Sequence, residues 1–189
     1  PPRYTLFPYT TLFRSLLALL RGINVGGNNI IKMADLKACF VAMGFTNVVT
    51  YIQSGNVLFD AEDADTKLLT SAIEQTLSEQ FAYASRIVLI TQEKLLRIIQ
   101  QAPDGFGVYP ETYRYDVIFL RPPVSAAEAL SKIKTKEGVD FVKPGEGVLY
   151  FSRLSSKSSQ SHMTKMIGTA IYKEMTIRNW NTTTKLSKM

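Results

Sequence analysis

One cysteine and one histidine in 189 residues each remove a class of protein. A single cysteine excludes an internal disulfide framework and any zinc site built on several thiolates. A single histidine excludes a multi-histidine metal centre, so no metal is assigned. No apolar run approaches the roughly 20 residues that a membrane-spanning helix needs, and no membrane partner is expected. No Ser-His-Asp arrangement, carboxylate pair or metal-ligand spacing stands out, and no cofactor is implied. What is present is 46% apolar and 20% charged residues, the composition of a soluble globular protein able to bury one core or two small ones.

Thr5-Leu6-Phe7-Pro8-Tyr9-Thr10-Thr11-Leu12-Phe13-Arg14-Ser15 resembles the translation of a common short-read sequencing adapter, without a mismatch. The segment lacks a cationic stretch followed by an apolar run, so it is not a signal peptide. Residues 1–15 are therefore set aside as non-native, and the fold is expected to begin at residue 16. Without Arg3 and Arg14 the net charge of +6 becomes +4. The remainder is uneven. Residues 16–130 carry nine Lys/Arg against twelve Asp/Glu, whereas residues 131–189 carry eleven against four. Such a basic third reads either as a solvated face or as a site for phosphate or nucleic acid.

Along the chain, the apolar run at 16–20 suits a buried strand. Residues 32–43 place Met33, Leu36, Cys39, Phe40 and Met43 on one helical stripe, which makes Cys39 a buried hydrophobe and not a nucleophile. Strands at 47–53 and 56–60 flank Ser54-Gly55, a helix follows at 66–81 and a strand at 86–90. Thr91 caps a connecting helix that stops at Ala102-Pro103-Asp104-Gly105. The order then recurs: a strand at 113–120, a short helix behind the Ser125/Glu128 capping box, and strands at 139–142 and 148–151 joined across 143–147. A helix with Met163, Met166, Ile167, Ala170 and Ile171 inward comes next, then a closing strand at 175–178 and a helical turn or two from 182 to 189. Two β-α-β-β-α-β passes predict an α+β protein of two tandem ferredoxin-like (α/β-plait) subdomains, at 16–102 and 103–189.

Three polar segments are candidates for chemistry. Arg21-Gly22-Ile23-Asn24-Val25-Gly26-Gly27 follows the first strand, and its glycines free backbone N–H groups to face a ligand. It is neither a P-loop nor G-x-G-x-x-G. Because the first and third strands of such a unit are antiparallel neighbours, this loop is expected beside Gln53, Ser54 and Asn56. Arg178, Asn179, Asn181, Thr183 and Lys185 surround the lone Trp180, which reads either as a base-stacking ring or as a core plug. Lys157, Lys165 and Lys173 lie in a hydroxyl-rich run, with Lys165 and Thr169 four apart on the outer face of the expected helix. His162 has no obvious partner.

Leu19-Leu20-Arg21-Gly22-Ile23-Asn24-Val25-Gly26-Gly27, Tyr51-Ile52-Gln53-Ser54-Gly55-Asn56-Val57, and Thr176-Ile177-Arg178-Asn179-Trp180-Asn181-Thr182 with Lys185-Leu186 resemble the signature blocks of the bacterial domain-of-unknown-function family 1697, over residues 16–189. The resemblance implies two ferredoxin-like subdomains and a bacterial, cytoplasmic protein. It supplies no activity, ligand or catalytic residue.

The expectation that follows is an anion-binding protein, for a nucleotide-like molecule or nucleic acid. Arg21, Asn24, Gly26, Gly27, Gln53, Ser54 and Asn56 form one wall. Arg178, Asn179, Asn181, Thr183 and Lys185 form another, with Lys165 nearby. The alternatives are a transferase-like enzyme on a phosphorylated substrate, with Lys185, Tyr51 or His162 as acid or base, and a protein-interaction module.

Overall fold

The computed structural model describes residues 13–62 and 65–189. Two four-stranded antiparallel sheets carry the architecture. The first contains β1 (Phe13–Leu20), β2 (Thr46–Tyr51), β3 (Asn56–Glu62) and β4 (Ile87–Thr91), in the order β2-β3-β1-β4. The second contains β5 (Tyr113–Leu120), β6 (Asp140–Gly145), β7 (Val148–Leu154) and β8 (Met175–Asn179), in the order β6-β7-β5-β8. With α1 (Met33–Ala42) and α2 (Thr66–Phe81) in the first half and α4 (Ala126–Lys132) in the second, both are ferredoxin-like subdomains in tandem. Two more helices, α3 (Gln92–Gln100) and α5 (Trp180–Leu186), follow the last strand of each half.

Strand alternation determines which residues reach which layer. Leu16, Ala18 and Leu20 point to α1 and α2, packing with Leu36, Phe40, Ile73 and Leu77. Leu17 and Leu19 point the other way and meet Val117 and Phe119 of β5, with Leu95, Ile98 and Leu186 filling the flanks. Ile118 and Leu120 then face α4. Residues 16–20 of the first strand and 117–120 of the fifth are therefore buried on both faces, which is why each stretch reads as an unbroken apolar run. The inner faces of the two sheets cover one another, and the tandem repeat acts as an internal dimer. Burial of Leu17, Leu19 and Phe119, all at most 1% exposed, is worth roughly 1.5–3 kcal/mol for each side chain.

Several helix ends follow the sequence expectation. The Thr91 and Ser125 hydroxyls accept from the backbone N–H of Lys94 and Glu128, and Gly44 closes α1 at φ +90°. Three expectations are corrected. First, β1 extends into the segment set aside as adapter-like: Phe13, Arg14 and Ser15 pair with Glu62, Ala61 and Asp60. Antiparallel pairing uses backbone groups and tolerates almost any side chain at a strand end. Residues 1–12 lie outside the described residues. Second, the β6–β7 turn is shorter than expected, because Pro144 lies within β6. As an edge strand β6 does not need that missing N–H.

Third, residues 162–172 do not form an α-helix. Short 3₁₀ turns occupy Ser155–Gln160, His162–Met166 and Ile171–Glu174. Gly168 sits at φ +88°, and the Thr169 hydroxyl donates to the Met166 carbonyl, so local polar bonds replace the helical ladder. Met166 and Ile171 are buried as expected, but Ile167 is 60% exposed and Ala170 is exposed. The shared outer face of Lys165 and Thr169 does not exist.

Candidate functional site

The loop after β1 is folded by its asparagines. Asn24, at φ +53°, accepts from the Ile31 N–H at 2.8 Å through Oδ1 and donates through Nδ2 to the carbonyls of Ile31 (3.0 Å) and Gln53 (2.9 Å). Asn29 donates to the Gly22 carbonyl at 2.8 Å. Between them Val25 to Asn28 close a tight turn, with Gly26 and Gly27 both at positive φ as a type I′ turn requires. Gln53 is exposed and holds the loop through its backbone carbonyl. The loop therefore lies against the turn at Gln53, and Asn24 is used in shaping it.

Asn56 is fully buried and lies where the two halves touch. Its Nδ2 donates to the Tyr51 carbonyl and the Ser54 hydroxyl, while its Oδ1 accepts from Arg178 Nε at 2.5 Å. The other donors of Arg178 reach the carbonyls of Leu20 (2.8 Å), Ser54 (2.8 Å), Gly55 (3.2 Å) and Ile177 (2.9 Å). This guanidinium from the second sheet is thus buried among carbonyls of the first, and among the described residues no carboxylate is bonded to it. Burial pushes it down to about 10, still fully cationic at neutral pH. Gly55, at φ +75°, lets the β2–β3 turn close here, since a methyl in its place would collide with Leu20 and Ile23.

Two further arginines cross the seam from equivalent places. At the end of β1, Leu20 N–H donates to the Gly55 carbonyl and Arg21 N–H to the Arg86 carbonyl. At the end of β5, Leu120 N–H donates to the Gly147 carbonyl and Arg121 N–H to the Glu174 carbonyl. Arg21 and Arg121 therefore occupy the same position in the two halves, and each side chain reaches across to the other half. Arg121 meets Glu74 at 2.8 and 3.1 Å and Glu174 at 3.5 Å, and the pairing raises its pKa. Among the described residues Arg21 meets no carboxylate. Its Nε donates to the Tyr172 carbonyl at 3.2 Å, and its guanidinium lies 4.7 Å from the centre of the Tyr172 ring.

Arg21 and Arg178 line one cleft of about 560 Å³, together with Gly22, Asn28, Asn29, Tyr172 and residues 175–177. No Asp or Glu is among its lining residues. Of the residues expected in the two walls, only Arg21 and Arg178 line this cleft; Asn24, Gly26, Gly27, Gln53, Ser54 and Asn56 do not. Arg178 turns inward while Asn179 faces outward, and Asn179 and Asn181 border a separate cleft of about 340 Å³ beside Arg114, Asp116 and Arg153. Asn179 also caps α5, accepting from the Thr182 N–H at 2.7 Å. Thr183 is fully buried and donates to the Asn179 carbonyl, so it cannot reach a ligand. Lys185 is exposed on α5. Lys165 pairs with His162 Nε2 at 2.8 Å and belongs to neither cleft.

Residues 13–150 match the family model described as a protein of unknown function, DUF1697. The chain belongs to this family. The match stops before Arg178, so the seam joins a matched half to a segment outside the matched region. Among solved structures, the DUF1697 chain is similar to one titled as the conserved bacterial protein SP0830 from Streptococcus pneumoniae. The TM-score is 0.80 and the identity 22%, over 94% of this chain and 98% of that one, a likeness of fold. Among curated proteins none matches. Among the described residues no three His, Cys, Asp or Glu gather as a metal site, and no helix is long and apolar enough to cross a membrane.

Sequence reasoning missed Arg121, Glu74 and Tyr172. The end-of-strand Leu-Arg shared by Leu20-Arg21 and Leu120-Arg121 was the available signal.

Proposed function

We propose that the protein binds a small anionic ligand of mononucleotide size in the cleft between its two subdomains, with Arg21 as the principal contact. The difference between Arg21 and Arg121 carries this proposal. Both stand at the same point of the repeat, yet among the described residues Arg121 is neutralised by two carboxylates and Arg21 by none. A guanidinium held by its Nε against a carbonyl and an aromatic ring keeps its terminal nitrogens in the fork that suits phosphate or carboxylate. Arg178 adds a second positive charge at the cleft wall. The cleft volume falls within the usual small-molecule range of about 300–1,000 Å³.

Calorimetric titration with AMP, GMP and inorganic phosphate tests this. Wild-type protein binds at least one of them. Arg21→Gln, which keeps a polar side chain but removes its charge and its guanidinium fork, weakens that binding roughly tenfold or more, the value of a hydrogen bond to a charged group. Absence of binding by the wild type at millimolar ligand, or equal binding by a correctly folded Arg21→Gln, contradicts the proposal.

A further inference from the structure

The two inner sheet faces do not cover each other completely. The uncovered part of the second sheet is a cleft of about 260 Å³ walled by Phe106, Tyr109, Tyr113, Tyr115, Phe141 and Tyr150. Tyr113 and Tyr115 stand two apart on β5, Tyr150 is on β7 and Phe141 on β6, so the rings rise from one face of three adjacent strands. Phe106, from the loop after α3, braces them. Its ring centre lies 4.9 Å from that of Tyr115, 5.4 Å from Tyr150 and 5.1 Å from Trp180. Tyr150 forms the floor at 2% exposed, with its hydroxyl donating to the Ile98 carbonyl. Tyr109 and Phe141 stand open at 61% and 47%.

We infer that this cleft is a stacking platform for the bases of a single-stranded nucleic acid, a site separate from the cleft at Arg21 and independent of it. Partly exposed Tyr113 and Tyr115 on a central strand, with Phe141 open on the edge strand and Tyr109 open on the loop, offer ring faces on a four-stranded sheet, the means by which sheet-based RNA-binding modules stack bases. Charge selects this occupant over an uncharged apolar peptide. Lys143 lines the cleft from the edge strand, and residues 131–189, which build most of this sheet, carry eleven Lys/Arg against four Asp/Glu. Asp104, the one carboxylate on the rim, suits the exocyclic amino group of a base, and Ser152 adds a hydroxyl. The volume accommodates a ring system, leaving the phosphate backbone outside beside Lys143.

Fluorescence anisotropy with labelled single-stranded RNA octamers tests the inference, with the quenching of Trp180 as a second signal. The octamers bind more weakly as salt rises. Tyr113→Ala and Phe141→Ala each weaken binding about tenfold or more, the usual effect of removing one stacked ring. Tyr113→Phe, which keeps the ring, binds as the wild type does. Lys143→Ala lowers the slope of log affinity against log salt by about 0.7. Both truncated rings are partly exposed, so the variants keep the wild-type circular dichroism and melting profile. Failure of the wild type to bind any octamer overturns the inference. Wild-type affinity in folded Tyr113→Ala and Phe141→Ala, or occupation of the cleft by a proline-rich peptide or a mononucleotide but not by an octamer, overturns it equally.

Discussion

Arg178 on β8 donates to Asn56 on β3 at 2.5 Å across 122 residues of sequence, and both side chains are buried. This bond and the carbonyls of Leu20, Ser54 and Gly55 around the same guanidinium bring the segments at 19–27, 51–57 and 176–186 to one point. These segments therefore dock one ferredoxin-like subdomain onto the other, and the cleft with Arg21 at its wall is a consequence of that docking.

Gly107 faces the only tryptophan. Its φ of +85° and the indole of Trp180 directly over it leave no room for a methyl group. Gly107→Ala is expected to cost roughly 1–3 kcal/mol through overpacking and to displace the indole. A shift in tryptophan emission together with a lower urea midpoint checks this.

Asn24 holds the loop at both ends. Asn24→Ala removes three hydrogen bonds and places a methyl-bearing residue at positive φ, at an expected cost of roughly 2–3 kcal/mol. Asn24→Gly recovers the backbone part alone. Hydrogen exchange at residues 24–31 should quicken in both variants, and unchanged protection there would show that Asn24 does not shape the loop.

Glu74 and Arg121 pair bidentately between the halves, with side chains only 15% and 24% exposed. Arg121→Ala should destabilise the protein by about 1.5–3 kcal/mol, because it leaves Glu74 half-buried without its cation. The stability gap between wild type and variant, measured by urea unfolding, should narrow only slightly between low and high salt. A surface pair would lose most of it.

Tyr150 gives an alkaline signature. Burial pushes its pKa from 10 up to about 12, so between those values the native state retains a proton that the unfolded chain has released. Its contribution is complete below pH 10 and is lost as pH rises through about 12. Arg178, pushed down to about 10, acts in the opposite sense across that window, because there the unfolded chain holds more protons. Comparison with Tyr150→Phe separates the two. Wild-type stability should fall more steeply with pH than that of the variant, and parallel curves would contradict the assignment.

The fold was legible because its determinants are local. The apolar run at 16–20, the hydroxyls of Thr91 and Ser125, and Gly44 after α1 each act within a few residues. The segment at 162–172 misled because its Met/Ile spacing is helical, while Ser161, Gly168 and Thr169 favour short turns held by their own hydrogen bonds. The site was legible only as a set of blocks. Buried inter-subdomain bonds and ligand contacts require the same donors and acceptors, so Arg178, Asn56 and Thr183 read as a ligand wall until their partners are seen. The neutralisation of Arg121, which leaves Arg21 as the member of that pair without a carboxylate among the described residues, depends on Glu74 from a distant helix.

A double-mutant cycle on Arg178→Met and Asn56→Ala, read by urea unfolding, bears most directly on the seam. Arg178→Met alone should cost about 3 kcal/mol or more, because it leaves several buried carbonyls without donors. The two changes together should cost less than their sum by at least about 1 kcal/mol, as expected for residues bonded to one another. Additive losses, or an Arg178→Met variant as stable as the wild type, would show that these residues do not join the two halves.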